Sequence, residues 1–269
     1  MYQTSLVHAA LCEYDSAMAS LHEAFDIQIR ILGPDHPATL RTRREIGNNF
    51  AIYKAELPTA FEYFKDVLKR QKRIHGEKHP NIADTLHSIG CAQARDGDFQ
   101  LALKTLEDCY NMRLEFLGMD HPSQATTLHE IAKMQRDRGR LKKAIHICDA
   151  ALQIRLECLS ENHIDVALVM STKASCLVAK GDFVEANKLF LQALPIAEAA
   201  VGPHHPSLAE IHVQIGSMHL RKCHFDEATE SIQKALDMYR KSNLDEDHPG
   251  IKQAIADLEQ VERSEMLCV

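Results

Sequence analysis

The chain has 269 residues, of which 45% are hydrophobic, and a formal net charge of −7 at pH 7. This composition is sufficient for a folded core, whereas the acidic balance disfavours binding to nucleic acid and to anionic membranes, which both favour basic surfaces. No apolar run approaches the roughly 20 residues of a membrane-spanning helix, so membrane insertion is not expected. The beginning of the chain does not read as a signal peptide, and the eight cysteines include no C-x-x-C pair, which together favour a cytoplasmic protein with reduced thiols.

A histidine-containing loop recurs along the chain at intervals of 42 or 43 residues. The loop histidines are His36, His79, His121, His163, His205 and His248. A series of alanines keeps the same interval: Ala17, Ala60, Ala102, Ala144, Ala186 and Ala228. Small residues also follow the first five loop histidines by 11 positions: Gly47, Gly90, Ala132, Ala174 and Gly216. Such regular spacing indicates a repeated structural unit, not an active site.

Each interval predicts two amphipathic helices, A and B, joined by a short turn. In the unit that begins at His79, the stripe of helix A is Ile82, Thr85, Leu86, Ile89 and Ala92. The stripe of helix B is Phe99, Ala102, Leu103, Leu106, Tyr110, Leu114 and Leu117. Both stripes have helical spacing. The segment Arg95–Asp98 interrupts the pattern, and Gly97 can close helix A in the left-handed conformation.

The recurring loop has the composition expected between two helices. Gly33, Gly76, Gly118 and Gly202 stand where helix B must end, and Pro37, Pro80, Pro122 and Pro206 stand where the next helix A begins. Glycine is favoured just after a helix, and proline in the first turn of one. We therefore predict that the histidine before the proline caps the helix or binds the loop backbone.

This pattern predicts an all-α protein with a single domain over residues 1–263. The expected units are approximately 1–35, 36–78, 79–120, 121–162, 163–204 and 205–247, followed by a capping helix at 249–263 and a tail at 264–269. Aligning the units places Met1 inside the first helix A, which leaves that end without its opening turn. Because an uncapped end exposes apolar surface, we expect either further repeats before it or a contact there with a partner or a second copy.

The spacing of the small residues resembles that of a known repeat family. Gly90, Ala102 and Cys109 occupy positions 8, 20 and 27 of their unit, which resembles the tetratricopeptide repeat. The 42-residue form with an L-G-x-D-H-P loop, seen at Leu32–Pro37 and at Leu117–Pro122, is similar to the repeats of kinesin light chains and nephrocystin-3-like proteins. The resemblance implies a right-handed superhelical α-solenoid of about six helix pairs that binds other proteins. A link to a microtubule motor follows from the resemblance alone.

In the tetratricopeptide pattern, certain positions of each helix A line a concave groove. The residues that we expect there are Arg41, Arg44, Asn48, His87, Arg95, His129, Lys133, Arg136, Ser171 and Ser175. The N-terminal half of this set is basic, which favours an acidic peptide as the ligand. The later positions are neutral and partly apolar, so the peptide can also carry a hydrophobic side chain. Scattered charges on an ordinary solvated face are the alternative interpretation.

The sequence does not indicate an enzyme, a metal site or a cofactor. No phosphate loop, dinucleotide fingerprint or hydrolase motif is present. The loop histidines should lie about 10 Å apart, the usual spacing of packed helices, which is too far for one zinc ion. His219 and Cys223 lie four residues apart with His224 nearby and can share an ion, but such pairs are common by chance.

Two functions from different classes remain. The first is an adaptor that binds an acidic or mixed acidic and hydrophobic peptide in the groove. The second is a structural spacer or assembly subunit that uses its ends and its convex B helices, with the groove empty.

Overall fold

The computed structural model describes residues 2, 14–52, 56–242, 244, 246 and 248–268. These residues form twelve helices and no strand, which confirms the predicted all-α class. The helices are α1 Tyr14–Leu32, α2 Pro37–Ile52, α3 Leu57–His75, α4 Pro80–Arg95, α5 Phe99–Leu117, α6 Pro122–Asp137, α7 Leu141–Cys158, α8 Ile164–Lys180, α9 Phe183–Val201, α10 Pro206–Arg221, α11 Phe225–Lys241 and α12 Pro249–Cys268. Apart from Tyr2, the first predicted helix A lies outside the described residues.

The chain forms two compact units that adjoin in sequence at Thr127 and Leu128, inside α6. Helices α2, α4, α6, α8 and α10 are the A helices, and α1, α3, α5, α7, α9 and α11 are the B helices. The single domain over residues 1–263 stays a prediction. The predicted tail is wrong for residues 264–268, because α12 continues to Cys268. This segment contains neither glycine nor proline, so nothing in it stops a helix.

The loop histidines cap the A helices and α12, as predicted. In all six loops the imidazole Nδ1 accepts a hydrogen bond of 3.1–3.2 Å from the backbone N–H two residues later. The first N–H groups of a helix have no partner within the helix. The histidine supplies one partner, and the proline that follows it in five of the loops removes another donor.

The small residues of the repeat allow the two helices of a pair to touch. The six alanines of the periodic series are fully buried. A Cβ atom added to Gly90 would lie 2.7 Å from Leu106 Cγ, and one added to Gly216 would lie 2.5 Å from Ile232 Cγ1. Leu106 and Ile232 are themselves fully buried, and each contributes about 1.5–3 kcal/mol. The glycines at these positions are therefore packing residues.

Two further properties concern the cysteines and the apolar character of the helices. The six cysteines whose side chains the structure describes are free thiols: Cys91, Cys109, Cys148, Cys158, Cys176 and Cys223. No described helix combines the length and the apolar character that crossing a lipid bilayer requires.

Candidate peptide-binding surface

A cavity of about 360 Å³ lies in the first compact unit, between α2 and the start of α4. Its polar lining residues are Arg41, Arg44, Gln71, His75, Asn81 and Asp84. Arg41 and Arg44 are three residues apart on α2, so the helix places them on one face. The structure therefore brings together the first two predicted groove residues, and we call this site the unit 1 cavity.

Arg44 has two acidic partners of its own. Its Nη2 donates to Glu45 Oε1 at 2.9 Å, and its Nη1 lies 3.4 Å from Asp84 Oδ2 on the next A helix. Burial by itself lowers the pKa of Arg44, but Glu45 and Asp84 outweigh it and the pKa rises above its ordinary value. The guanidinium stays charged, and its charge is largely balanced within the protein.

Arg41 is the exposed cation of the unit 1 cavity. Its guanidinium carbon lies 4.7 Å from the centroid of the Tyr2 ring, a distance at which a cation is attracted to the face of an aromatic ring. Among the described residues, no carboxylate forms an ion pair with it. Arg41 thus offers a positive charge that a ligand can reach.

The other predicted residues of the first unit lie outside the unit 1 cavity. Asn48 Nδ2 donates to Glu45 Oε2 at 2.9 Å, so Glu45 is held by two side chains of α2. His87 is half-buried, with its ring nitrogens 3.8 and 3.9 Å from Cys91 Sγ. Arg95 is exposed at the end of α4 and forms no ion pair within the described part of the chain.

Two residues predicted to face the groove are buried in the second compact unit. His129 Nε2 lies 2.8 Å from Thr172 Oγ1, and burial, followed by the charge of Lys133, lowers the pKa of His129 to about 3. Ser171 is 1% exposed and donates to the carbonyl of Leu168. The prediction that these side chains face the groove is wrong, because both are buried: His129 contacts Thr172 of the next A helix, α8, and Ser171 bonds within its own helix.

The remaining predicted residues of the second unit also have partners. Ser175 Oγ donates to Gln214 Oε1 at 2.6 Å, which joins α8 to α10. Lys133 Nζ lies 3.3 Å from Glu130 Oε1, and Arg136 Nε donates to Asp137 Oδ1 at 2.9 Å. The expected basic wall is therefore largely neutralised: of the predicted cations, Arg41 and Arg95 alone lack an acidic partner within the residues described.

A second periodic series, not predicted from the sequence, includes Gln71, which lines the unit 1 cavity. It consists of Gln71, Arg113 and Arg155, buried residues at intervals of 42 on successive B helices. Each of them contacts the A helix that follows: Gln71 Oε1 accepts from Thr85 Oγ1 at 2.8 Å, and Arg155 pairs with Asp165. The spacing alone could have revealed the series, but buried glutamine and arginine do not stand out in an apolar stripe.

A possible metal-binding group lies in the turn between α10 and α11. The ligand atoms of His219, His224 and Glu227 all lie within 4.8 Å of one another. Cys223, which the sequence places beside His219, does not belong to this group.

Comparisons with known proteins agree with the fold. A tetratricopeptide repeat profile matches residues 50–115, 123–199 and 165–241, and a second one matches residues 5–38. No curated protein sequence matches the chain.

Three solved structures illustrate the likeness. The nearly identical TPR-like repeats of a protein described as a kinesin light chain of Podosopora anserina are 22% identical, with a TM-score of 0.56 over 77% of this chain and 98% of that one. BtubC (BKLC) from P. vanneervenii is 16% identical, with a TM-score of 0.64 over 86% and 92%. The Rap conjugation gene regulator of plasmid pLS20, solved with the Phr* peptide, is 14% identical, with a TM-score of 0.55 over 97% and 62%. The chain belongs to the tetratricopeptide repeat family, whose fold is in general a non-catalytic scaffold for protein–protein interaction.

Proposed function

We propose that the chain is a non-enzymatic adaptor that binds a peptide segment of a partner protein on the A helices of its first compact unit. The unit 1 cavity is the anchor of this peptide. The observation that carries the proposal is the exposed Arg41 beside a cavity of about 360 Å³. A cavity of this volume can hold a few side chains, because small-molecule sites of similar size begin at about 300 Å³.

The preferred peptide carries an acidic side chain. Arg41 can receive it directly, and Arg44 can receive it by exchanging one partner. The contact of Arg44 with Asp84 is 3.4 Å long, whereas charge-assisted hydrogen bonds are commonly about 2.7–2.9 Å. Asp84 also has a shorter contact of 2.7 Å to Arg113. A ligand carboxylate can therefore replace Asp84 as the partner of Arg44, while Asp84 stays paired with Arg113.

Similar structures support a peptide as the ligand. The Rap regulator of plasmid pLS20 was solved with a bound Phr* peptide, so a fold of this type can hold one. The likeness to a protein described as a kinesin light chain extends the proposal to cargo peptides of a microtubule motor. The free thiols agree with a cytoplasmic site of action.

Binding of synthetic peptides tests the proposal. The probes are fluorescent peptides with an aromatic residue flanked by Asp and Glu, together with matched peptides in which Asn and Gln replace the acids. We expect the acidic peptides to bind more tightly, and Arg41→Glu or Arg44→Gln to weaken them about tenfold or more, as the loss of a charged hydrogen bond implies. Lys104→Glu, on the exposed face of α5, is the control and should bind as the wild type does.

Three outcomes contradict the adaptor. They are equal affinity for acidic and amide peptides, wild-type affinity in Arg41→Glu, and binding that does not weaken as salt screens the charges. If the Arg41→Glu protein also captured the same partners as the wild type from native cells, the spacer function would be supported instead.

A further inference from the structure

The turn between α10 and α11 has a cysteine in the left-handed conformation, where the equivalent turns have glycine. The equivalent turns place Gly97, Gly139 and Gly181 at φ values of +88°, +71° and +90°, whereas Cys223 has φ +59°. A side chain in this left-handed region costs roughly 1–2 kcal/mol. The turn is nevertheless closed, because the N–H of His224 donates to the carbonyl of His219 at 3.0 Å.

This turn brings three potential ligands together. His219 lies in the last turn of α10, His224 precedes α11, and Glu227 lies in the first turn of α11. His224 makes no capping hydrogen bond with its side chain, and its Nδ1 lies 3.6 Å from Glu227 Oε1. The rings of His219 and His224 have centroids 6.0 Å apart.

His219 has an unmet hydrogen-bonding requirement. Its Nδ1 is buried and has no hydrogen-bond partner among the described atoms. An unpaired polar atom in such a place costs about 1–3 kcal/mol. Either a bound ion or an ordered water can supply the missing interaction to the imidazole.

The repeat itself does not require these side chains. They stand 14, 19 and 22 residues after the loop histidine His205. The equivalent residues are Gln93, Asp98 and Leu101 in one unit, Gln135, Arg140 and Lys143 in the next, and Leu177, Asp182 and Glu185 in the one after that. Of the units that begin at His79, His121, His163 and His205, the last alone has two histidines and a carboxylate at these positions.

We propose that His219, His224 and Glu227 form a binding site for a divalent transition-metal ion, with Zn²⁺ as the ion that their donor atoms suit. Zinc bonds imidazole nitrogen at about 2.0–2.1 Å and carboxylate oxygen at about 2.0–2.2 Å, commonly in four-coordinate sites. Rotation of the exposed His224 and Glu227 side chains closes the present separations, and water fills the fourth position. The ion fastens the end of α10 to the start of α11 across the strained residue Cys223.

Calorimetric titration of the full chain with Zn²⁺ tests this site, using protein purified without a polyhistidine tag. We expect one ion per chain, a higher unfolding temperature with zinc, and an affinity about tenfold or more lower in His224→Ala and in Glu227→Gln. Both residues are exposed, so the variants should fold. The chain has sixteen histidines, so a histidine outside the site must be tested as well. His146→Ala, at an exposed position on α7, is this control and should bind as the wild type does.

Cobalt identifies the donor atoms. The Co²⁺ complex should lack the near-ultraviolet absorption of a sulfur ligand, and Cys223→Ser should bind zinc normally. Loss of binding in Cys223→Ser together with sulfur absorption would assign the ion to the His219 and Cys223 pair and overturn the proposed ligand set. Absence of zinc binding by the wild type, or unchanged affinity in both His224→Ala and Glu227→Gln, would overturn the site altogether.

Discussion

Arg113 on α5 holds Asp84 on α4 through a bond of 2.7 Å between Nη2 and Oδ1. The other terminal nitrogen of Arg113, Nη1, donates to the carbonyl of Ser123 at 2.7 Å and to the hydroxyl of Thr127 at 2.6 Å. One buried guanidinium thus joins three helices and fixes the carboxylate that faces Arg44 in the unit 1 cavity. Packing within the first compact unit and the geometry of the candidate binding surface depend on the same residue.

Arg113→Ala should lower the free energy of unfolding by about 2–3 kcal/mol. The loss removes one donor from each of three acceptors, but the Ser123 carbonyl still accepts from Thr127 Oγ1 at 3.1 Å. Asp84 is 40% exposed and can turn to water, which keeps the cost below that of a fully buried ion pair. Denaturation by urea measures the change. Arg73→Ala is the matched control, because Arg73 also pairs with an aspartate, Asp35, but is 65% exposed, and it should cost at most about 0.5 kcal/mol. Equal losses in the two variants would contradict a structural role for Arg113.

The buried His129 should make the protein less stable in acid. Its pKa is lowered from 6.5 to about 3 in the folded chain, so between these values the unfolded state binds the extra proton. Stability is then complete above about pH 6.5 and falls as the pH decreases towards 3. At pH 5 the loss from this residue is about 2 kcal/mol.

The variant His129→Gln isolates this contribution. Glutamine can keep a hydrogen bond to Thr172 but does not titrate, so the decrease in unfolding free energy from pH 7.5 to pH 5 should be smaller in the variant by about 2 kcal/mol. His212, whose pKa is lowered to about 4, titrates in both proteins and cancels in the comparison. The same pH dependence in wild type and variant would be evidence against a neutral, buried His129.

Gly216→Ala should destabilise the pair formed by α10 and α11. The added Cβ would lie 2.5 Å from Ile232 Cγ1 and 3.2 Å from the backbone oxygen of Ala228, and overpacking of this kind costs about 1–3 kcal/mol. Thermal unfolding is the measurement. Ser217→Ala, one residue later on the exposed face of α10, should be neutral or slightly stabilising because alanine favours helix. An alanine at position 216 that stabilised the protein would rule out the close approach.

Removal of a histidine cap should cost less than removal of core packing. His205→Ala deletes the acceptor of the Ser207 N–H and should reduce the free energy of unfolding by about 1 kcal/mol. His205→Asn should restore most of this loss, since asparagine is a preferred N-cap. His204→Ala changes the exposed neighbour and should have little effect. Failure of asparagine to restore stability would mean that the ring acts through packing instead of capping.

The sequence by itself determined the helices, their pairing and the repeat family. Periodic signals achieve this because each unit meets the same local requirements. A helix begins where His79 and Pro80 satisfy or remove its free N–H groups, and two helices pair closely where Gly90 faces Leu106. These requirements involve residues near one another in the chain, so the spacing of residue types is enough to predict them.

Tertiary structure alone decided which groove positions are open and which cations are neutralised. His129 is a polar residue on an A helix, and only the approach of Thr172, 43 residues away, buries it. Asp84 is drawn to both Arg44 and Arg113 by contacts between helices. The proximity of His219 and Glu227 likewise depends on the left-handed turn at Cys223. Charge pairing and burial are set by distances between side chains that residue spacing does not specify, because they depend on how successive helices pack.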